Sequence, residues 1–213
     1  MKIPLLAFVS WASYAIPTIA GIWRFKRLDR PMKIFLLFCI WSSIEVSVEY
    51  VLSSNRINNH LLINYGYLID TLFLSILYSS STDDKKTKKI FLFLTLIFGC
   101  LWIVDALFFA FAAKLNSEMA MTSRILIIIM SILILFDVVR KTDRLLVDES
   151  IFWISTGFAL YSAGVFLIFG LSNELVKLGP IYFLIAWHIN WALVIVTNLM
   201  FTKGFFCKAK QYT

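Results

Sequence analysis

The stretch that decides the fold reads ILIIIMSILILF, residues 125–136, in which Ser131 is the one polar side chain. A membrane-spanning β-strand alternates apolar and polar residues over about ten positions, whereas this stretch is apolar on every side. A helix rises about 1.5 Å per residue, so a hydrocarbon core about 30 Å thick needs about 20 apolar residues. Extended in both directions, the stretch reaches that length, and we predict a transmembrane helix over Met119–Val139.

Six further segments meet the same requirement for length and polarity, which predicts an all-α integral membrane protein with a seven-transmembrane-helix bundle. The seven predicted spans, in chain order, are Ile3–Trp23, Ile34–Ser53, Leu61–Ser79, Ile90–Ala112, Met119–Val139, Ile151–Leu171 and Ile181–Phe201. The connections between them are short. We therefore expect a single seven-helix transmembrane domain over residues 1–213 and no soluble domain.

The composition of the chain supports this prediction. Of its 213 residues 60% are hydrophobic and 15% are charged, and the mean hydropathy is +0.83. A soluble domain is typically about 45–50% apolar and about 25% charged, so the composition excludes a soluble enzyme and a disordered chain. The three cysteines, at positions 39, 100 and 207, are odd in number and match no metal-site spacing, which excludes a disulfide-stapled module.

The basic residues predict the orientation of the bundle. Fifteen of the twenty fall in the connections on one side: Arg24, Lys26, Arg27, Arg30, Lys33, Lys85, Lys86, Lys88, Lys89, Arg140, Lys141, Arg144, Lys203, Lys208 and Lys210. Four fall on the other side: Lys2, Arg56, Lys114 and Lys177. The positive-inside rule therefore places the N-terminus outside and the C-terminus in the cytoplasm, in a cytoplasmic or plasma membrane. Since topology explains the net charge of +7, we predict the lipid bilayer as a partner and no nucleic acid.

Span one also resembles a signal peptide, because a basic start and an apolar run precede Thr18-Ile19-Ala20. Cleavage there would leave the basic cluster of residues 24–33 outside the membrane, against the positive-inside rule. The apolar run is also longer than the apolar region of a usual signal peptide, which has about 7–15 residues. We therefore expect span one to be a permanent helix, kinked at Pro17, with Thr18 or a neighbouring group bonding the freed carbonyl.

Ionisable residues inside the spans are the strongest functional signal in the sequence. They are Glu45, Glu49, Asp70, Asp105, Arg124 and His188. With the predicted orientation, the helical rise places all six in the outer half of the bilayer. Such residues are unfavourable in lipid and by default face the bundle interior or a water-filled cavity. We therefore predict one ligand-binding polar pocket, open to the outside, to which Tyr67 and Asn190 also contribute and to which Tyr14 and Tyr161 add hydroxyl groups.

The balance of these groups indicates what the pocket takes up. Four acids stand against one arginine and one histidine, which favours a site for protons, a cation or an amine. The structural alternative is a set of buried ion pairs that fix helix packing. Trp102 lies three residues before Asp105, so its indole either donates to that carboxylate or packs against a neighbouring helix. His188 and Asn190 are about 200° apart around span seven and do not share a face.

The first functional hypothesis is a receptor-like sensory or accessory module. It would bind a small ligand, a lipid or a cation in the outer pocket and act through a separate cytoplasmic or membrane partner. Its topology is similar to that of rhodopsins and G-protein-coupled receptors, which is an analogy of fold alone. A retinal cofactor would need a lysine in the middle of span seven, and Lys203 lies beyond its end. The cofactor and any catalytic residue stay unknown.

The first alternative is a small transporter. Seven spans suit a three-plus-one-plus-three arrangement similar to that of the SWEET sugar carriers, and Trp41-Ser42 … Leu52-Ser53-Ser54-Asn55 resembles Tyr161-Ser162 … Leu171-Ser172-Asn173. Asp70 and Asn190 would then be equivalent. The match is short and needs a gap, and the chain lacks the Pro-Gln pairs of related carrier families, which counts against this resemblance.

The further alternative is an intramembrane lipid hydrolase, although we expect a role without catalysis. The chain has two histidines, His60 and His188, and no zinc motif, so we predict no metal site. The paired acids Glu45 and Glu49 leave open a metal-free hydrolase that uses carboxyl groups as acid and base, of the lysoplasmalogenase kind.

Overall fold

The computed structural model describes residues 4–108, 117–142, 145–171, 175 and 177–207, and within these ranges it contains helices and no strand. The α-helices are α1 Leu5–Ser13, α2 Ala15–Arg24, α3 Arg30–Ser54, α4 His60–Ser81, α5 Lys85–Phe108, α6 Ser117–Lys141, α7 Ser150–Gly170 and α8 Pro180–Phe206. Two 3-10 turns lie at Phe25–Arg27 and Leu146–Asp148. Counting Leu5–Arg27 as one unit, the described part of the chain has seven helical units long and apolar enough to span a membrane, the number that the sequence predicts.

The helices extend beyond the predicted apolar spans at several ends. α3 begins at Arg30 rather than near Ile34, because Asp29 caps it and accepts a hydrogen bond from the Met32 backbone nitrogen at 3.0 Å. Hydropathy marks only the apolar part of a helix, whereas caps extend it into the polar interface. The predicted end of span four at Ala112 lies outside the described residues, as do Lys2, Lys114, Arg144, Ser172, Asn173, Lys208 and Lys210.

The first span is divided at Tyr14, three residues before Pro17, where the sequence predicts a kink. Pro17 has no backbone N–H, which interrupts the helical hydrogen bonds at this point. The Tyr14 carbonyl accepts hydrogen bonds from the hydroxyl groups of Thr18 at 3.1 Å and Ser43 at 3.3 Å. Ser43 lies on α3, so the break is also a contact between the first two spans.

The helices form a ring. In order around it lie α1 with α2, then α3, α4, α6, α7 and α8, and α8 closes the ring against α1 and α2. α5 lies outside the ring against α4 and α6, so α4 and α6 run side by side in the same direction. We call the end at which α3 ends and α4 begins the outer end, and the opposite end the inner end, following the orientation that the sequence predicts.

The inner half of the bundle is packed with aromatic rings. The ring of Phe35, fully buried on α3, lies 5.0 Å from that of Phe201 and 5.2 Å from that of Phe205 on α8. Phe158 on α7 lies 4.7 Å from Phe201 and 5.2 Å from Phe38. We call these five residues the aromatic core. They join α3, α7 and α8 and thereby fix the rotation of α3, which also extends into the outer half.

Candidate functional site

Four of the predicted site residues meet in the outer half of the bundle, and we call them the charge cluster: Glu45 and Glu49 on α3, Asp70 on α4 and Arg124 on α6. The Arg124 Nη2 atom donates a hydrogen bond to Asp70 Oδ2 at 3.3 Å, which forms a salt bridge between α4 and α6. Glu45 and Glu49 both lie within electrostatic range of this pair. The fold therefore brings together charges from three helices that are up to 79 positions apart along the chain, from residue 45 to residue 124.

Arg124 is held between two aromatic rings. Its guanidinium carbon lies 5.7 Å from the centre of the Tyr67 ring and 5.5 Å from that of Tyr161 on α7. Such contacts between a cation and an aromatic face are favourable when the cation is removed from water, and Arg124 is buried. Within the described part of the chain, the buried Nε atom of Arg124 has no hydrogen-bond partner. One N–H donor of the cluster therefore remains unused.

Glu45 reaches α4 through a gap at Gly66. A Cβ atom at Gly66 would collide with the Glu45 carboxylate, so this position admits glycine alone without movement of Glu45. Asp70 lies one turn along α4 from Gly66, and Asp70 and Glu49 are the two acids that act on Glu45 electrostatically. Glu45 is thus seated against the α4 backbone, beside the Asp70–Arg124 pair.

Trp41 lies one turn before Glu45 on α3, with its indole group beside the Glu45 carboxylate. The buried indole nitrogen has no hydrogen-bond partner within accepted geometry among the described residues. Sequence analysis missed both Trp41 and Gly66. The spacing of four between Trp41 and Glu45 was a usable signal, whereas the role of Gly66 depends on the approach of two helices and leaves no local signal.

The charge cluster has an excess of acid. Three carboxyl groups surround one guanidinium, and in the described ranges no basic side chain forms a salt bridge with Glu45 or Glu49. An unpaired carboxylate in an apolar bundle is strongly unfavourable. Glu45 and Glu49 therefore need protons or a bound cation for neutrality, whereas Asp70 already has its counter-ion.

Two further tyrosines lie at the border of the cluster, as the sequence predicts. Tyr161 on α7 and Tyr14 at the break between α1 and α2 lie within electrostatic range of each other and of Glu49. Their phenol groups can donate or accept a hydrogen bond. With them, α3, α4, α6, α7 and the first span all contribute to the same region.

The structure places Asp105 apart from the charge cluster. It is buried on α5, the helix outside the ring, and it has no described interaction with the four clustered charges. Trp102 does not donate to Asp105: its indole N–H donates to the backbone carbonyl of Asn64 on α4 at 2.9 Å. This indole therefore ties α5 to α4, and the first of the two roles considered for Trp102 is wrong.

His188 and Asn190 lie on α8, on the far side of the ring from α4. The His188 Nδ1 atom is 2.7 Å from the carbonyl oxygen of Leu184, and its ring lies 5.0 Å from that of Trp191. Asn190 is half-buried. No described contact links either residue to the charge cluster, so their part in a ligand site stays a prediction from the sequence.

Comparison of the chain with protein-family models, with curated proteins and with solved structures returned no match. Among the described residues, no group of three or more histidine, cysteine, aspartate or glutamate side chains is arranged to hold a metal ion. The geometry and charge of the cluster are therefore the basis for assigning a function.

Proposed function

We propose that the charge cluster is the ligand site of a receptor-like sensory or accessory membrane protein, and that it takes up a small cation or an amine. The observation that supports this is the pair of carboxyl groups, Glu45 and Glu49, which form no salt bridge with a described basic residue and lie beside the Asp70–Arg124 salt bridge. A divalent cation between the two glutamates would neutralise both, whereas a monovalent cation or an amine would neutralise one while the other keeps a proton. The cluster would release protons or exchange a weaker cation when the ligand binds.

A cation at this site would change the relation of α3 to α4 and α6. Without the cation, the ionised forms of Glu45 and Glu49 repel Asp70. With the cation bound, the same carboxylates attract its positive charge. A ligand shifts such an equilibrium only by its difference in affinity for the two arrangements. We place the readout at the inner ends of these helices, on a separate partner protein, because the connections between the described helices are too short to fold into a domain.

We further propose that the N-terminus lies outside and the C-terminus lies in the cytoplasm. The clustering of basic residues at the inner end supports this orientation. A reporter fused to the N-terminus should be accessible from outside the cell, and alkaline phosphatase fused to the C-terminus should be inactive. An active C-terminal phosphatase fusion contradicts the orientation.

The test of the ligand site is a melting experiment on the purified full-length protein in detergent. The probes are sodium, potassium, calcium and ethanolamine, each as the chloride salt. A ligand that binds the folded state raises the melting temperature with concentration. We expect one of these probes to raise it for the wild type and to lose the effect in Glu45→Gln and Glu49→Gln.

The matched control is Glu118→Gln, the same chemical change at an exposed position in the first turn of α6. This variant should keep the full response of the wild type. The proposal is wrong if none of the four probes shifts the melting temperature of the wild type, or if the shift survives in both cluster variants.

A second candidate function, a small transporter, has one observation in its favour. Spans one to three and spans five to seven follow one another around the ring in the same order, and α5 lies outside it. Tyr78 bonds Ser131 between spans three and five, and Asn198, 120 positions after Tyr78, bonds Ser13 between spans seven and one. The same offset relates Asp70 to Asn190. Uptake of labelled glucose or sucrose by proteoliposomes, absent from empty liposomes, would favour this function.

A further inference from the structure

Polar side chains of α4 and α6 form a line of hydrogen-bonded pairs between the two helices. Four of these pairs make up what we call the polar seam: Asp70–Arg124 at 3.3 Å, Thr71–Ser123 at 3.2 Å, Tyr78–Ser131 at 2.9 Å and Thr82–Asp137 at 2.6 Å. Thr82 directly follows the last residue of α4. The seam therefore joins the charge cluster to the inner end of the bundle.

The polar seam is straight because the two helices are parallel and in register. The partners in its pairs are separated by 54, 52, 53 and 55 positions along the chain. From Asp70 to Thr82 a helix rises about 18 Å, which is more than half of a hydrocarbon core about 30 Å thick.

The inner end of the seam opens onto a cavity with acidic walls. Asp137 accepts hydrogen bonds from Thr82 and from Lys141, whose Nζ atom is 2.9 Å from Asp137 Oδ2. The cavity has a volume of about 70 Å³, and Asp137, Lys141, Asp83 and Glu149 are among the residues that line it. The cavity is therefore polar and has room for water. The seam thus has titratable carboxyl groups at both ends.

Apolar side chains interrupt the seam at two places, and Ile134, buried on α6 between Ser131 and Asp137, lies at the one nearer the inner end. Leu74 on α4 and Ile127 and Met130 on α6 are buried in the stretch between the Thr71–Ser123 and Tyr78–Ser131 pairs. From Thr71 to Tyr78 the helix rises about 10 Å, a distance that about three waters would bridge at hydrogen-bond spacing. In the structure described here the layer of Leu74, Ile127 and Met130 is packed, so the line of hydrogen bonds is closed at this point.

We propose that the protein conducts protons along the polar seam, from the charge cluster to the inner cavity, and that the layer of Leu74, Ile127 and Met130 is its gate. A carboxyl group of the cluster takes a proton from the outer solution. Each hydroxyl group and each bridging water then accepts one proton and passes one on, and Asp137 releases one proton into the cavity. The net change is one proton moved, with no bond formed or broken other than O–H bonds.

The positive charge of Arg124 in the seam does not prevent the movement of protons. A fixed positive charge in a pore excludes protons, but Arg124 is paired with Asp70, and Glu45 and Glu49 lie beside it. With its acids ionised, the cluster is negative overall and attracts protons. The inference goes beyond the proposed function, since a cation can bind at the cluster without any flow of protons.

The experiment measures proton flux into liposomes that contain the purified full-length protein and a trapped pH-sensitive dye. Potassium and valinomycin compensate the charge, and an imposed pH step drives the flux. We expect the wild type to dissipate the gradient faster than empty liposomes. Tyr78→Phe removes the hydroxyl relay and should slow the flux on the order of tenfold, as loss of one hydrogen bond of about 1.4 kcal/mol would do, and Leu74→Ala should accelerate it.

Tyr182→Phe is the matched control, the same change at an exposed position of α8, and its flux should equal that of the wild type. Ser131→Ala interrupts the same pair from α6 and replaces Tyr78→Phe if that variant does not fold. The inference is overturned if the wild type is no faster than empty liposomes, or if a folded variant of this pair conducts as the wild type does. Absent flux with a retained cation response would leave the proposed ligand site intact.

Discussion

The charge cluster and the aromatic core lie on the two halves of the same helix, α3, and they hold the bundle in different ways. In the inner half, Phe35 and Phe38 pack among rings from α7 and α8. In the outer half, Glu45 and Glu49 face Asp70 and Arg124 from α4 and α6. The inner half gains stability from close packing, whereas the outer half has more acidic than basic side chains.

The membrane makes this difference sharper than it would be in water. Lipid tails are as apolar as phenylalanine, so rings gain from contact with each other and little from leaving the solvent. A charged side chain that loses its partner finds no replacement in lipid, because lipid tails offer neither a counter-ion nor a hydrogen bond. Loss of a salt-bridge partner should therefore be more damaging than loss of a ring, and neutralisation of an unpaired acid should do little damage.

The largest effect should follow from Arg124→Met. It leaves Asp70 without its counter-ion, and breaking a buried pair costs about 3–5 kcal/mol. The measurement is the free energy of unfolding in detergent, by denaturant titration. Adding Asp70→Asn to the same chain removes the unpaired carboxylate and should recover most of the loss. A loss below about 1 kcal/mol in the single variant, the range of an exposed pair, would contradict the buried salt bridge.

The next effect tests the aromatic core. Phe35 is fully buried among four other rings, and Phe35→Ala should lower the free energy of unfolding by about 3 kcal/mol, near the lower limit for phenylalanine in a core. Phe93→Ala is the control, because Phe93 is 62% exposed on α5 and should change stability little. The cation response should persist in Phe35→Ala. Equal losses in the two variants would mean that this core does not form as described.

A smaller effect should follow where the two helices touch most closely in the outer half. The Cβ atom in Gly66→Ala meets the Glu45 carboxylate, and overpacking of this kind costs about 1–3 kcal/mol. Combination with Glu45→Ala removes the collision and should restore stability, whereas combination with Glu49→Ala should not. Equal results for the two double variants would show that Glu45 does not lie against Gly66.

The number and approximate limits of the helices were predictable, because hydropathy and helical rise decide which segments can span a membrane. A break near Pro17 was also predictable, since proline acts locally, and the structure divides the helix three residues before it, at Tyr14. The rotation of each helix about its axis was not predictable. It depends on packing against neighbours, and therefore the sequence placed Asp105 with the other acids, while the structure buries it on α5, outside the ring.

The meeting of Glu45, Glu49, Asp70 and Arg124 was expected from their shared depth, since charges at one level of a bilayer avoid lipid by converging. The depth of these residues in the bilayer does not predict which of them contact each other. Asp70 has the arginine, Glu45 lies against Gly66, and Tyr67 and Tyr161 enclose the guanidinium. The polar seam was equally hidden, because it requires α4 and α6 to be neighbours with α5 displaced.

The smallest effect on stability should come from Glu45→Gln, and it decides between a working site and a structural one. Glu45 forms no salt bridge within the part of the chain that the structure describes, so the substitution removes a desolvated charge and should leave the free energy of unfolding within about 1 kcal/mol of the wild type, or raise it. Asp70→Asn is the matched comparison, since it neutralises an acid that does have a partner, and it should destabilise the protein measurably. Both variants are melted with and without the cation that stabilises the wild type. If Glu45→Gln loses as much stability as Asp70→Asn, the cluster serves to hold the helices together, and the site proposed for a cation is wrong.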